Sequence, residues 1–377
     1  MVRIKIPIMG TCWATTTAQA TTDMLKDNER FTMRKSVGAG TRGVAGMQWW
    51  MPKSLKLLGN NMLSSDEPDH RRLRKLVDQA FQRRSIGELA PDIERIANDL
   101  LDRVDRHTRF DLVDAYARKL PLAVISELLG LKDDEAERFG NWASSITRVE
   151  GVLDFVRIFR PIRKMRSLIA EKVEDERDRA CAGGESSGLI GELVRAEQDG
   201  ERFSQDELIA MIFLLLVAGH ETTTHLISGG VWALLQHPDQ LGRLKSDLSK
   251  TDLAVEEMLR FVSPVQMSKP RYVQSDGDYH GEPLKKGEMI VALLAAANSD
   301  PDLFDLPEQF DISRHPNRHL GFGTGIHFCL GFQLARLEAK IALQTLLNRF
   351  PDLAFAGEPV WRKRIGMRAL KSLPLRG

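Results

Sequence analysis

The sequence predicts a mainly helical protein with a small β region, folded as a single domain over residues 1–377. Three observations carry that prediction. Amphipathic segments of helical period follow one another from Pro91 to Ala180 with only brief breaks between them. A long apolar helical pattern runs from about Gln205 to Leu235. Strand-like segments are short and sit near Val2–Thr16 and Arg271–Ala295, and neither an internal repeat nor a low-complexity linker divides the chain.

Composition narrows the function classes. With 42% hydrophobic and 28% charged residues, the chain is an ordinary globular protein. The 53 Lys and Arg against 52 Asp and Glu leave a net charge of +1, which suggests neither nucleic acid nor a polyanionic substrate. Cys12, Cys181 and Cys329 form neither a framework of pairs nor a CxxC motif, so a reducing, cytoplasmic compartment is the natural reading. The N-terminal Met1-Val-Arg-Ile-Lys-Ile-Pro has no long apolar core. The most apolar run, Leu208 to Gly219, is too short to span a bilayer before Glu221 interrupts it. No stable membrane insertion is expected.

Taken in order, Val2–Ile8 and Cys12–Thr16 alternate as a strand pair around Pro7 to Gly10, and Ala18–Lys26 reads as a short helix. From Phe31 to Ser65 regularity fades into Gly38, Gly40, Gly43 and Gly46, followed by Met47-Gln48-Trp49-Trp50-Met51-Pro52. Large apolar side chains on such a loop either cover a ligand or anchor the loop to the core. Glu67-Pro68-Asp69 starts a helix with proline in its first turn. His70 and Arg74, four apart, share one face of it, and Arg71, Arg72, Lys75, Arg83 and Arg84 make the neighbourhood basic. Helices are expected at Ile93–Val104, Leu120–Leu129, Glu135–Thr147 and Ile162–Arg179, with Gly183-Gly184-Glu185 as a helix stop.

Ser204-Gln205-Asp206-Glu207 is a capping box for the longest helix. Inside that helix, Ala218-Gly219-His220-Glu221-Thr222-Thr223 embeds an acid and a hydroxyl after an apolar run, which is costly unless they find partners. Asp252–Phe261 is another helix, with Glu257 and Arg260 three apart on one face. Beyond it lie Ser263–Met267, a strand at Arg271, turns at His280-Gly281 and Lys286-Gly287, an apolar strand Met289–Ala295, and an irregular stretch from Phe304 to Arg318.

The chain is organised around Gly321-Phe322-Gly323-Thr324-Gly325-Ile326-His327-Phe328-Cys329-Leu330-Gly331. Its glycines allow positive φ and close backbone approach. Leu330, Leu334, Leu337 and Ile341 then recur at helical spacing, which places Cys329 in a first helical turn, where the dipole favours a thiolate. A lone cysteine is ordinarily a small buried hydrophobe. The spacing of its neighbours sets this one apart.

Phe322-Gly323-x-Gly325-x-His327-x-Cys329-x-Gly331 resembles the haem-ligand loop of the cytochrome P-450 family. Three other motifs resemble that family as well: Ala218–Thr223 its (Ala/Gly)-Gly-x-(Asp/Glu)-Thr signature, Glu257–Arg260 its Glu-x-x-Arg, and His70–Arg74 its His-x-x-x-Arg. The match runs in order from about Val2 to Arg376. It implies the cytochrome P-450 fold, a triangular-prism helical domain around haem b, with the Cys329 thiolate as axial ligand of the iron. It further implies that Phe322 shields the sulfur, that Gly331 keeps the helix clear of the porphyrin, and that His70, Arg74, Arg271 and His327 meet haem propionates. By the same resemblance Gly219 leaves room for dioxygen, Glu221 relays protons, and Thr222 holds the hydrogen-bond network around the oxygen. Glu257 and Arg260 are a structural pair that binds the meander before the haem loop. Trp49, Trp50, Met211, Phe213, Val265, Gln266 and Met267 suggest an apolar substrate pocket, with Gln266 its polar anchor.

Family members usually carry a helix before the first sheet and, in microsomal forms, an N-terminal anchor. Neither is legible here: the helix is either missing or precedes an internal methionine at which this chain begins, and the lack of an anchor points to the soluble bacterial type. The implied activity is a monooxygenase that hydroxylates or epoxidises an apolar organic small molecule, with NAD(P)H electrons delivered singly by a ferredoxin or flavodoxin and its reductase. The basic neighbourhood of His70 suits an acidic redoxin, and a monomer is expected. Two other readings share the thiolate. A peroxygenase would use hydrogen peroxide directly, and peroxide users tend to replace the acid–threonine pair. A haem-thiolate sensor would not need that pair.

Overall fold

The computed structural model describes residues 1–7, 9–34, 61–82, 86–105, 108–147, 159–186, 188–196 and 203–377. The glycine-rich loop with Trp49 and Trp50, and the basic residues Arg83 and Arg84, lie outside the described residues. The chain divides into two compact units, one formed by Met1–Gly46, Leu89–Pro121 and Glu221–Gly377, the other by Met47–Glu88 and Leu122–His220.

In the first unit a five-stranded sheet runs in the order Val2–Ile6, Gly10–Thr15, Met289–Ala292, Arg271–Val273, Phe31–Thr32. The first two strands form an antiparallel pair from Val2 opposite Ala14 to Ile6 opposite Gly10. Trp13 then pairs in parallel with Ile290. Period-two alternation decides what each face buries. Ile6, Cys12, Ala14 and Val291 pack on one side, while Trp13, Ile290, Ala292 and Val273 pack on the other with Met24, Leu25 and Phe31. The helix Ala18–Lys26 is therefore laid on the Trp13 face. Thr17 caps it by accepting the Ala20 N–H, and the Asp300 carboxylate takes the Ala18 N–H at 2.6 Å. The strand expected to reach Ala295 stops at Ala292, and Leu294–Ala297 turns into a helix.

The helix Phe332–Arg349 packs against both Ala90–Asp102 and Thr251–Val262. A two-stranded hairpin, Val360–Trp361 with Leu370–Ser372, closes near the C-terminus.

The second unit is helical. Asp69–Gln82, Asp133–Thr147, Phe159–Cys181 and Gly188–Ala196 follow in order, with the first half of the long helix Gln205–Gln236 completing it. Pro68 precedes the first of these rather than entering its first turn. The capping box forms: the Ser204 N–H donates to Glu207 at 2.8 Å, and the Glu207 N–H donates to Ser204 Oγ at 3.2 Å. Gly184 N–H to Arg179 O at 2.9 Å closes the helix Phe159–Cys181. Lys172 and Glu135, both nearly buried, are 2.6 Å apart and tie that helix to Asp133–Thr147. The sequence reading judged the run ahead of Glu221 too short to span a bilayer. The helix Gln205–Gln236 is in fact long and apolar enough to do so by length and composition, and 61% of its most apolar window is buried inside the protein. Glu221 sits inside it, where its carboxylate finds a partner.

Candidate active site

The stretch Gly321–Gly331 folds on itself. The Cys329 N–H donates to Phe322 O at 3.0 Å, the Gly323 N–H to Leu320 O at 2.9 Å, and the Phe328 N–H to Gly325 O at 3.1 Å. Gly325 has φ +73°, and a Cβ there would run into the Leu25 carbonyl, so only glycine fits. The following helix begins at Phe332 with Gly331 as its N-cap. Cys329 thus lies three residues before the first helical residue, not inside the first turn. The apolar spacing that suggested otherwise begins at Leu330, which occupies the turn ahead of the helix.

Phe322, Phe328 and Phe332 form an aromatic group with ring centroids 5.1 to 6.4 Å apart. The Arg336 guanidinium stacks 4.6 Å from the Phe322 ring and 5.4 Å from Phe332. Arg336 in turn makes a two-pronged bond to Glu256 at 2.6 and 2.8 Å. His319 Nδ1 accepts the Gly321 N–H at 3.1 Å, so Nε2 carries the proton that reaches Glu256 at 3.1 Å. Burial opposes ionisation of Glu256, yet the bonds from Arg336 and His319 outweigh it and hold the carboxyl at about 2. Asn298, fully buried, accepts the Leu320 N–H at 2.6 Å and donates to Ser263 Oγ at 2.9 Å. These contacts fix where the cysteine loop starts.

Glu257 and Arg260 have fully buried side chains and meet through two bonds of 2.8 Å. Arg260 also donates to the carbonyls of Asn298, Pro307 and Gln309 at 2.8 to 3.0 Å. Glu257 accepts the Asp311 N–H at 2.9 Å and the Asn317 side chain at 3.1 Å, with Arg314 at 3.3 Å. Arg271 is buried, its Nη1 donating to Met24 O at 3.1 Å and, more distantly, to Asn28 and Phe31. His327 ends the short turn Gly325–His327.

Glu221 is nearly buried and is clasped by Arg364, whose Nη1 reaches one carboxylate oxygen while Nη2 stands 3.1 Å from the other. Thr222, the next residue, is half-buried. Val265, Gln266 and Met267 are half-buried as well. The Gln266 N–H donates to Gly366 O at 2.9 Å, and Val265 bridges to Met367, so this stretch is backed by the chain around Arg364.

In the second unit His70 is buried, which lowers its pKa against the opposing pull of Glu67, 3.8 Å away. Arg74 pairs with Asp78 at 3.3 Å, Arg71 with Glu67 at 3.2 Å, and Arg72 with Glu207. The basic character expected of this helix is therefore partly neutralised by carboxylates. Burial raises the Glu207 pKa, and the bonds from Ser204 and Arg72 bring it down below the usual value. Met211 is fully buried and Phe213 half-buried. A Cβ on Gly219 would make ordinary contact with Ile125 at 3.4 Å.

Haem fits the cysteine loop on this structure's own terms. All residues from Gly321 to Phe332 are only half-covered, including five apolar side chains, and a Cβ on Gly331 would meet nothing within 4 Å. A broad apolar group can lie there. Among the described residues no three His, Cys, Asp or Glu side chains gather to hold a metal. Iron at Cys329 would need its other ligands from a macrocycle.

Sequence reasoning missed Arg364, Glu256, Asn298, His319 and Arg336. No local pattern marks them, because their partners lie elsewhere in the chain.

A family model described as Cytochrome P450 matches residues 45–370. The chain is 41% identical over 327 residues to polyketide biosynthesis cytochrome P450 PksS of Bacillus subtilis (strain 168), covering 86% of this chain and 79% of the relative. The solved structure of PksS superposes with a TM-score of 0.89 over 100% of this chain and 92% of that one, at 38% identity. Cytochrome P450 monooxygenase PikC of Streptomyces venezuelae is 40% identical over 85% of this chain and 76% of its own length. P450BioI, solved in complex with an acyl carrier protein ligated to hexadec-9Z-enoic acid, gives a TM-score of 0.87 at 33% identity, covering 100% of this chain and 94% of that one.

Proposed function

The chain belongs to the cytochrome P450 family and is a haem-thiolate monooxygenase, and from that premise we propose that it oxidises an apolar organic small molecule with electrons from a redoxin. The observation that carries this reading is the half-covered apolar loop Gly321–Gly331 with its single cysteine. The chemistry supplied by bound haem is reductive cleavage of dioxygen, one atom entering the substrate by hydroxylation or epoxidation and the other leaving as water.

Cys329 would supply the thiolate that holds the iron, and Phe322, stacked by Arg336, would shield its sulfur. His70, Arg74, Arg271 and His327 would hold the propionates through charge-assisted bonds. Gly219 leaves room beside the helix, Glu221 takes up and passes on protons, and the Thr222 hydroxyl fixes the local hydrogen-bond network. Val265, Gln266 and Met267, half-buried and backed by the chain around Arg364, face the substrate. Glu257 and Arg260 hold the meander. The whole chain acts as one domain around the cofactor, as a cytoplasmic monomer, and a ferredoxin or flavodoxin with its reductase delivers electrons from NAD(P)H. The name of PksS and the fatty-acyl ligand solved with P450BioI support an apolar substrate of polyketide or fatty-acyl character.

The test begins with type I spectral shifts over macrolide, fatty-acid, terpenoid and aromatic compounds, followed by turnover with ferredoxin, its reductase and NADPH. An oxygenated product is expected. Product from hydrogen peroxide alone, with none from the redoxin chain, would overturn the electron-donor assignment in favour of a peroxygenase. Cys329→Ala is expected to abolish the red-shifted Soret band of the ferrous carbon monoxide complex, whereas Cys12→Ala and Cys181→Ala retain it. Retention of the band in Cys329→Ala would remove that residue as the iron ligand.

A further inference from the structure

The segment between Trp361 and Leu370 carried no motif, yet it supplies the side chain that holds Glu221. One guanidinium engages both carboxylate oxygens, the arrangement that fixes a carboxylate in orientation as well as in position. Glu221 is 9% exposed, whereas the Arg364 side chain is 34% exposed. The arginine end of the pair is therefore the more accessible one.

The arm that carries Arg364 is itself fixed. The Arg362 N–H donates to Ala369 O at 2.8 Å, and the Arg368 N–H donates to Pro264 O at 3.0 Å. Trp361 stands edge-on to Trp232 with centroids 5.1 Å apart, and the Arg368 guanidinium lies 5.0 and 5.1 Å from the two rings. Trp232 belongs to the same helix as Glu221, eleven residues further on (232 − 221 = 11), or about three turns. The hairpin is thus bolted to the helix at one point and reaches Glu221 at another. A guanidinium on such an arm sets position, unlike a counter-ion on a loose chain.

We infer that Arg364 is a positioning residue for the reaction, holding the Glu221 carboxylate in one orientation beside the more accessible guanidinium so that protons from water reach it there. This rests on the reading of Glu221 as the proton relay. In each passage a Glu221 oxygen accepts one proton from solvent, releases one proton toward Thr222, and returns to the carboxylate, so Glu221 undergoes no net change. Removing Arg364 strips a nearly buried carboxylate of its counter-charge. The group then gains other rotamers, which misplace the relay.

The experiment uses the holoenzyme of wild type, Arg364→Gln, Arg364→Lys, Glu221→Gln and the Arg364→Gln/Glu221→Gln double variant. Thermal unfolding of the ferric, substrate-free proteins reports the pair directly, because the effects of the two glutamine substitutions should not add. Turnover is then read with a ferredoxin, its reductase, NADPH and the compound of largest type I shift as the probe. Arg364→Gln is expected to slow product formation by roughly five- to tenfold, a modest part of the 10²–10⁴ typical of general acid–base help. It is also expected to raise the solvent deuterium isotope effect, which a purely structural role would leave unmoved. Arg364→Lys should recover most of the rate, and the double variant should be no slower than Glu221→Gln. A wild-type rate and isotope effect in Arg364→Gln beside a slow Glu221→Gln would overturn the inference and leave the relay standing. A wild-type rate in Glu221→Gln would overturn both. Additive rate losses in the double variant would place the action of Arg364 elsewhere and overturn the inference alone.

Discussion

Glu257–Arg260 and Glu221–Arg364 are both two-pronged arginine–carboxylate pairs in the same compact unit, and they differ in everything around them. The first is 0% exposed at both side chains, and its arginine also serves three backbone carbonyls. The second spends its arginine on the one carboxylate among the bonds described, and that arginine is a third exposed. A buried pair whose every remaining donor is used on backbone is part of the framework, because breaking it strands a charge with no water to take it. A pair with one end partly exposed can be loosened at less cost in stability. The accessible end of the pair is what a group taking protons from water requires, while the two-pronged bond keeps the carboxylate in place. Exposure and the number of further partners, more than the ion pair itself, separate the two roles.

The comparison predicts stability effects in a definite order. Arg260→Ala leaves the Glu257 charge buried and three carbonyls without their donor, for a loss of about 3–5 kcal/mol. Urea unfolding measures it, and a loss under about 1 kcal/mol would break the distinction, since such values belong to exposed pairs.

Glu256 is the intermediate case. Its folded pKa, about 2, lies below the unfolded carboxyl value of about 4.3, so its stabilisation is fully present above the unfolded value. That stabilisation is lost as pH falls from the unfolded value through about 2. Wild type should lose stability steeply across that window. Glu256→Gln should be less stable at neutral pH by about 2–3 kcal/mol and show a flatter acid limb. Parallel acid limbs in the two proteins would show that Arg336 and His319 do not hold the carboxylate in solution.

The smallest expected effect on stability is at Arg364. Arg364→Gln should cost about 1–2 kcal/mol, less than Arg260→Ala because only one carboxylate loses its partner and the arginine end of the pair is a third exposed, while turnover falls. A loss as large as that of Arg260→Ala would move Arg364 into the framework class.

What the sequence made legible was local. The capping box Ser204–Glu207, the helix Ala18–Lys26 and the strand pair expected at Val2–Ile8 and Cys12–Thr16 each announce themselves within about fifteen residues, and the structure forms all three, the strands at Val2–Ile6 and Gly10–Thr15. The mainly helical class follows from the same short-range periodicity. The contacts that shape the candidate site span 143 residues for Arg364 and Glu221, 80 for Arg336 and Glu256, and 63 for His319 and Glu256. No periodic pattern encodes such pairings, since each is specified only once the fold exists. Boundaries slipped where apolar spacing continued past the element. Leu330 extends the pattern of the cysteine helix into a turn, and Leu293 to Ala295 extend that of a strand into a helix. Burial accepts such a run in either conformation.

Gly325 seated against the Leu25 carbonyl sets a timetable for synthesis. The two residues are 300 positions apart (325 − 25 = 300), and at ribosomal rates of 5–20 residues per second roughly 15–60 seconds separate their appearance. Until residue 325 has emerged, the first helix and sheet wait with one of their neighbours missing. The nascent chain cannot present a finished cradle for its thiolate during most of its elongation. Cofactor capture then belongs to the period after translation of the loop, and intermediates arrested before Gly325 should leave the ribosome colourless.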